Sequence, residues 1–251
     1  EPLGTIGTTR AETGHPVGQI FGYVHDRLFT EDDFKDVENG VLKDGVPKQT
    51  FTAKVRPGDI KYVDLDKNGF IDTYDQMAIG GTENPEIVYG FGVNLRWKEL
   101  DFGAMFQGIG RTWRILSSNI MPASNKGSMY NIFDNYQDRW TVDNQSQDVF
   151  YPRADYGPNA NNSQKSTWWL RNMSFLRLKN LELGYSCPKK WLQGFVISNA
   201  RVFVRGTNLL TFSKFNLWDP ELATGDGAKY PAMKSVSVGS VSYTHLTLPT
   251  N

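Results

Sequence analysis

IVYGFGVNLRWKELDFGAMFQGIG, residues 87–110, carries the most regular pattern in the chain. Large apolar side chains alternate at Ile87, Tyr89, Phe91, Val93, Leu95 and Trp97, with Val88, Gly90, Gly92, Asn94 and Arg96 between them. After a tight turn at Lys98 and Glu99, Leu100, Phe102, Ala104 and Phe106 resume the apolar phase against Asp101, Gly103, Met105 and Gln107. Successive side chains of a strand point to opposite faces, so a period of two predicts a hairpin with one greasy face and one small or polar face. Two architectures use such strands. A sandwich seals the greasy faces between two sheets. A transmembrane barrel turns them outward into lipid and keeps polar groups toward a wet interior. Alternation alone is compatible with both.

Immediately upstream, DLDKNGFIDTYD at 64–75 has the spacing of a calcium loop. Oxygen ligands at positions 1, 3, 5, 7, 9 and 12 fall on Asp64, Asp66, Asn68, the Phe70 carbonyl, Asp72 and Asp75, with Gly69 at the sharp turn. Converging carboxylates repel unless a cation sits among them, so a structural Ca2+ is expected. Position 12 is Asp, one methylene shorter than the usual bidentate Glu. The flanks GDIKYV and QMAIGG are not amphipathic helices, which excludes a sensor that opens a helix pair. The plainer reading is a solvated Asx-turn loop without metal.

Composition narrows the class. The chain has 251 residues, formal net charge +0, 39% hydrophobic and 13% aromatic residues. A neutral balance gives no electrostatic case for nucleic acid. No apolar run approaches the roughly eighteen residues of a membrane-spanning helix. The single cysteine, Cys187, excludes an internal disulfide and a thiolate cluster, and a packing role is expected for it. The chain opens on Glu1, so a leader is absent or lies upstream. No catalytic constellation is found. His15, His25 and His245 are scattered, GxSxG is absent, and GFGVNL at Gly90 lacks the third glycine and helix of a nucleotide loop. An enzyme is not expected.

Along the chain, 17–26 reads as a strand and 30–54 as a long polar loop, with Asp32 and Asp33 as solvated residues. Residues 111–167 form a second long excursion, and the spacing of Met129, Phe133, Tyr136 and Trp140 predicts one short helix there. Its aromatics (Trp113, Tyr130, Tyr136, Trp140, Tyr151, Tyr156, then Trp168 and Trp169) either pack the loop against itself or meet a sugar or a partner; the first reading is favoured for any one of them. Residues 168–188 are the longest strand candidate. Leu176 and Leu178 share one phase and Leu181, Leu183 and Tyr185 the other, so a bulge is predicted at Lys179-Asn180. Strands at 200–212 and 233–239 follow, separated by a loop at 216–230.

Several blocks together resemble a known family. GDIKYVDLDKNGFID…IGGTENPEIVYGFGVNLRWKELDFGAMFQG, RWTVDN at 139, WWLRNMSFLRLKNLELGYSCPKKWL at 168 and RVFVRGTNLLTFSKFNLWDPE at 201 are similar, in order and spacing, to the late barrel of SusC/RagA-type TonB-dependent outer-membrane transporters. The resemblance implies an all-β, antiparallel chain: about the last six strands of a 22-stranded transmembrane barrel, multi-pass in the cell outer membrane, with long extracellular loops. It also implies TonB, engaged through parts missing here, a SusD-like surface lipoprotein as partner, outer-membrane lipid around the wall, and import of oligosaccharides or peptides. On this reading 1–239 is the C-terminal barrel segment, with 58–86 carrying the calcium-type loop and 111–167 an extracellular loop. SVSYTHLTLPTN resembles translated sequencing-adapter sequence, and 240–251 is set aside as non-native. The alternative is a soluble calcium-binding β-sandwich, a carbohydrate-binding module. The two differ in whether Tyr89, Phe91, Val93 and Leu95 face outward or into a sealed interior.

Overall fold

The structure is a computed structural model and describes residues 14–117, 120, 133–155, 157, 159–194 and 196–244. Among these residues the secondary structure is all β apart from single turns of 3-10 helix. The strands are β1 (Gln19–Tyr23), β2 (His25–Leu28), β3 (Phe34–Asp36), β4 (Val41–Leu42), β5 (Lys48–Gln49), β6 (Ile60–Tyr62), β7 (Phe70–Ile71), β8 (Gln76–Thr82), β9 (Ile87–Trp97), β10 (Leu100–Gly110), β11 (Trp113–Ile115), β12 (Leu170–Asn172), β13 (Phe175–Ser186), β14 (Ile197–Ser213) and β15 (Ser235–Thr244). They divide between two compact units. One comprises 1–84, 112–172 and 224–228, the other 85–111, 173–223 and 229–251.

The second unit is a five-stranded antiparallel sheet in the order β15-β14-β13-β10-β9. The hairpin forms in the predicted register: Trp97 faces Leu100, Leu95 faces Phe102 and Phe91 faces Phe106. Its two-residue turn places Lys98 in the left-handed region at φ 54°. The predicted bulge is also present. Phe106 lies opposite Leu178 while its neighbour Met105 lies opposite Asn180, so Lys179 is the extra residue and both leucine sets of β13 reach one face. β14 answers with its own irregularity, where Leu178 faces Leu210 but Asn180 faces Thr207, and Asn208 there takes φ 55°. β15 pairs regularly with β14 from Ser235 to Tyr243. With no slip to restore the phase, Val241 and Tyr243 point to the face opposite Val236 and Val238, and β15 continues past the 233–239 strand read from the sequence into the stretch set aside as non-native. The rest of the tail, 245–251, lies outside the described residues.

The first unit is built from short pairings: β1 with β8, β2 with β6, β3 with β4, β5 with β7 in parallel, and β11 with β12. Leu28, Phe29, Ile60, Tyr62, Ile71 and Trp169 are sealed inside it. Buried charge is matched by donors. The Asp59 carboxylate accepts from Arg56 N–H (2.8 Å), Arg153 Nε (3.1 Å), Asn159 Nδ2 (3.0 Å) and Asn162 Nδ2 (2.9 Å), which ties 56–60 to 153–162. Burial nevertheless pushes its pKa up against the pull of Arg153.

Four expectations are corrected. Residues 17–26 do not join the large sheet. They form β1, buried at every position and paired with β8, and β2, paired with β6, because at five and four residues they are too short to cross a membrane. Among the described residues the wide sheet has five strands. The 168–188 strand is broken between β12 and β13, since Trp169 is anchored in the first unit by its Nε1–H donating to the Asn162 carbonyl at 2.7 Å. The helix predicted over 129–140 falls partly outside the described residues; over its remainder only a 3-10 turn, Asp134–Gln137, forms. Backbone bonds from Tyr151 N–H to Asp138 and from Trp140 N–H to Tyr151 draw the chain out of helical geometry. Asp33 is not solvated but buried, gripped by both Arg27 Nη atoms (2.6 and 2.7 Å) and by Lys61 Nζ (3.0 Å).

Candidate functional site

In the 64–75 loop the structure brings together three of the six predicted ligands. Carboxylate oxygens of Asp64, Asp66 and Asp75 all lie within 4.8 Å of one another. Turn chemistry holds them there: Gly69 N–H donates to Asp64 Oδ2 (2.8 Å) and Asn68 N–H to Asp66 Oδ1 (3.0 Å). Asp75 is fully buried and accepts Leu65 N–H (2.7 Å) and Asp72 N–H (2.8 Å), one oxygen each. Gly69 takes φ 87°, the left-handed turn that position six requires. Asp64 Oδ1 is buried with no hydrogen-bond partner, which leaves a lone pair for a cation. The other three are less committed. Asp72 accepts Tyr74 N–H (2.8 Å) as a cap, and Asn68 spends its amide on Phe70 N–H (2.7 Å) and Asp66 Oδ2 (2.9 Å). The carbonyls of Gly69 and Ile71 accept from Lys48 N–H and Thr50 N–H, so strand alternation turns that of Phe70 the other way. The flanking elements are strands β6 and β8, not helices.

The second feature is the two-faced sheet. On one face Phe91, Val93, Leu95 and Trp97 of β9, Leu183 of β13, Val202, Val204, Leu210 and Phe212 of β14, and Val236 and Val238 of β15 are all exposed. Val93 is 42%, Leu95 60% and Val238 72% accessible. A sealed sandwich interior, which requires Tyr89, Phe91, Val93 and Leu95 to be inside, finds no support among the described residues. At the short-turn end of this face Trp97 and Trp191 are exposed, with Lys98 Nζ 4.9 Å above the Trp97 ring and Tyr185 6.2 Å from Trp191.

The opposite face is charged and glycine-rich. Arg201 Nε donates to Asp101 Oδ1 (3.0 Å) and Arg201 Nη2 to Glu182 Oε1 (2.6 Å), while Glu182 Oε2 accepts from Arg205 Nε (2.6 Å). The chain thus links β10, β13 and β14. It is possible because Gly184, opposite Asp101, has no side chain: a Cβ there would collide with the Arg201 guanidinium and the Asp101 carboxylate. Phe203 lies between Arg201 and Arg205, 5.3 and 5.5 Å from their guanidinium carbons. Sequence reading named none of these as a network, although their parity, opposite to that of the greasy residues, was the available signal.

Elsewhere the loop aromatics pack inward: Trp140, Tyr151, Trp168 and Trp169 are buried. Burial pushes the Tyr151 phenol up to about 12. His25 Nδ1 is 2.6 Å from Thr167 Oγ1, and its pKa is lowered by burial and by the Arg171 charge. His245, Tyr130 and Tyr156 lie outside the described residues.

Strands of ten to seventeen residues, greasy on one face and polar on the other, give the chain the wall pattern of an outer-membrane β-barrel protein. No protein-family model matches it. Curated relatives do. TonB-dependent receptor P26 of Formosa agariphila is 32% identical over 197 residues, 72% of this chain and 19% of the receptor. TonB-dependent receptor P3 of the same organism is 29% identical over 83% of this chain and 19% of its own length. TonB-dependent receptor SusC of Bacteroides thetaiotaomicron is 24% identical over 77% of this chain and 18% of its length. Among solved structures, the RagAB peptide importer in its open-open state superposes with a TM-score of 0.60 at 26% identity, covering 88% of this chain and 22% of that one. The chain belongs to the SusC/RagA-type TonB-dependent receptors, of which it matches a part. It spans about a fifth of the length of the curated relatives it matches.

Proposed function

We propose that this chain is the C-terminal section of the wall of an outer-membrane importer, multi-pass in the cell outer membrane, which carries oligosaccharides or peptides with a SusD-like surface lipoprotein and is driven through TonB. The observation that carries the reading is the broad exposed apolar face backed by a charged one. In lipid the first face replaces water with hydrocarbon at about 25 cal/mol per Å² of apolar surface, while the second remains hydrated. Both edges of the sheet, β9 and β15, would be paired by strands from the rest of the receptor, because unpaired backbone groups in hydrocarbon cost several kcal/mol each. The relatives support the kind of cargo only in their names, SusC for one and peptide importer for RagAB. Deleting residues 85–244 from the full-length receptor in cells should abolish uptake of its cargo, whether glycan or peptide. Undiminished uptake would refute the assignment.

The acidic loop is read as a structural Ca2+ site of the same protein. Asp64, Asp66 and Asp75 would supply carboxylate oxygens and Phe70 its carbonyl, with Asn68 and Asp72 completing the shell by turning from their present partners. The ion would neutralise the clustered carboxylates and fix the 58–86 segment. Proteolysis of that segment with and without chelator tests this: cleavage indifferent to chelator would count against a bound ion.

A further inference from the structure

The polar face of the sheet is closed over at one residue. Arg177 lies on β13 between Gln107 of β10 and Thr211 of β14, on the same face as Glu182 and Arg201, yet it is 2% exposed. What covers it is the chain's own segment after β14. Asp219 pairs with Arg177 Nη2, Glu221 Oε2 lies 2.9 Å from Nη1, and Glu221 Oε1 reaches Lys179 Nζ at 3.1 Å. The strap is shaped for this delivery. Asp219 Oδ1 caps the 3-10 turn Pro220–Leu222 by accepting Glu221 N–H at 3.0 Å, and Ala223 ends it in the left-handed region at φ 48°. Phe215 and Pro220 are buried on either side.

Two carboxylates therefore sit on one buried guanidinium, and still the match is incomplete: Arg177 Nε is buried with no hydrogen-bond partner. A guanidinium presents a planar fork suited to bidentate carboxylate, and an unanswered buried donor is costly. The neighbouring Lys179 adds a second positive charge at the bulge, where β13 is locally widened. Two cations of β13 are thus covered by two acid groups of the protein's own strap.

We propose that Arg177 with Lys179 is a carboxylate-binding subsite on the polar face, and that Asp219 and Glu221 of the 214–223 strap occupy it in place of a carboxylate-bearing solute. The inference rests on the reading that this face lines the import path. The solute chemistry is a carboxylate beside neutral polar groups, as in a peptide terminus or a uronic acid unit; binding of that group displaces the strap.

The test uses the full-length receptor in lipid nanodiscs and calorimetric titration with four probes: tetra-alanine with a free C-terminus, its C-terminal amide, an oligogalacturonate and a neutral galactan. The parent should prefer a carboxylate probe over its neutral counterpart, and the probe that shows this identifies the source. Glu221→Gln, which keeps the Asp219 pair, should bind that probe roughly tenfold more tightly with no change for the neutral one, and Arg177→Gln should lose the preference. In the parent, the bound acid should also speed tryptic cleavage at Lys214 and Lys229, which flank the strap. Equal affinity for acid and neutral probes in parent and Glu221→Gln, with normal insertion into the nanodisc, overturns the subsite alone. Failure of the receptor to insert at all overturns the import-path reading beneath it.

Discussion

Placing a charge at Val93 separates a lipid-facing wall from a water-facing surface. β9 has eleven residues; at about 3.3 Å per residue and a tilt of about 40° it rises about 28 Å, close to the roughly 25 Å apolar band of an outer-membrane barrel. Val93 lies near the middle of that rise, opposite Ala104, with its side chain 42% accessible and no aromatic partner to lose. Arginine at mid-depth on the lipid face costs about 2–4 kcal/mol, a factor of about thirty to a thousand in the folding equilibrium. The same charge at Trp97, at the strand end, should cost about 0–1 kcal/mol, and Asn94→Arg on the polar face about nothing. Guanidinium unfolding of the full-length receptor in vesicles, followed by tryptophan fluorescence, reads all three. If the face meets water, Val93→Arg stays within about 0.5 kcal/mol of the parent, as exposed substitutions do. Equal, small effects at 93, 94 and 97 would refute the reasoning.

Other expected outcomes follow from single contacts. Asp66→Ala should make the 58–86 segment protease-sensitive even with calcium present while leaving β9 to β15 protected; cleavage patterns in the two proteins check this. Gly184→Val should disrupt the Asp101–Arg201 pair and cost about 1–3 kcal/mol by overpacking, visible as a lowered unfolding midpoint in vesicles. Asp59→Ala leaves Arg153 with Asp155 alone and takes the acceptor from the Arg56 N–H, and should cost about 1–3 kcal/mol, read as increased hydrogen exchange over 56–62 and 153–162. For Asp33, burial pushes the carboxyl up, but Arg27, the Thr30 N–H and Lys61 outweigh it and hold the carboxyl well below its ordinary value. Its contribution is therefore present above about pH 4, the unfolded value, and lost as pH falls through the lower folded one. Exchange-independent protease mapping of 27–42 should show loosening only in strong acid, and Arg27→Met should move that loosening to higher pH.

The long strands were legible because membrane or core burial imposes a strict period of two, and nothing in β9 or β10 competes with it. The bulge at Lys179 was legible for the same reason, as a change of parity among leucines. The short strands of the first unit were not. β3, β4, β5 and β7 have only two or three residues each, too few to show a period, and they are held by side-chain donors such as those around Asp33 and Asp59. Such partners lie far apart in sequence, as with Asp59 and Asn162, so spacing does not reveal them. Trp168 and Trp169 read as strand residues because tryptophan favours strands, yet Trp169 is committed to the loop core by one hydrogen bond. In the acidic loop, spacing named six candidate positions; it did not foresee that Asn68 and Asp72 serve the turn while the carboxylates of Asp64, Asp66 and Asp75 converge. The Arg177 strap was illegible because its carboxylates lie more than forty residues downstream.

Spin labels placed singly at residues 93, 94, 95 and 96 of the full-length receptor in vesicles test the central claim most directly. Relaxation by oxygen, which concentrates in hydrocarbon, should be strong at 93 and 95 and weak at 94 and 96, with a water-soluble nickel chelate giving the reverse. Equal nickel access at all four positions, or protection of 93 and 95 from both reagents, would contradict a sheet that turns its greasy side to lipid.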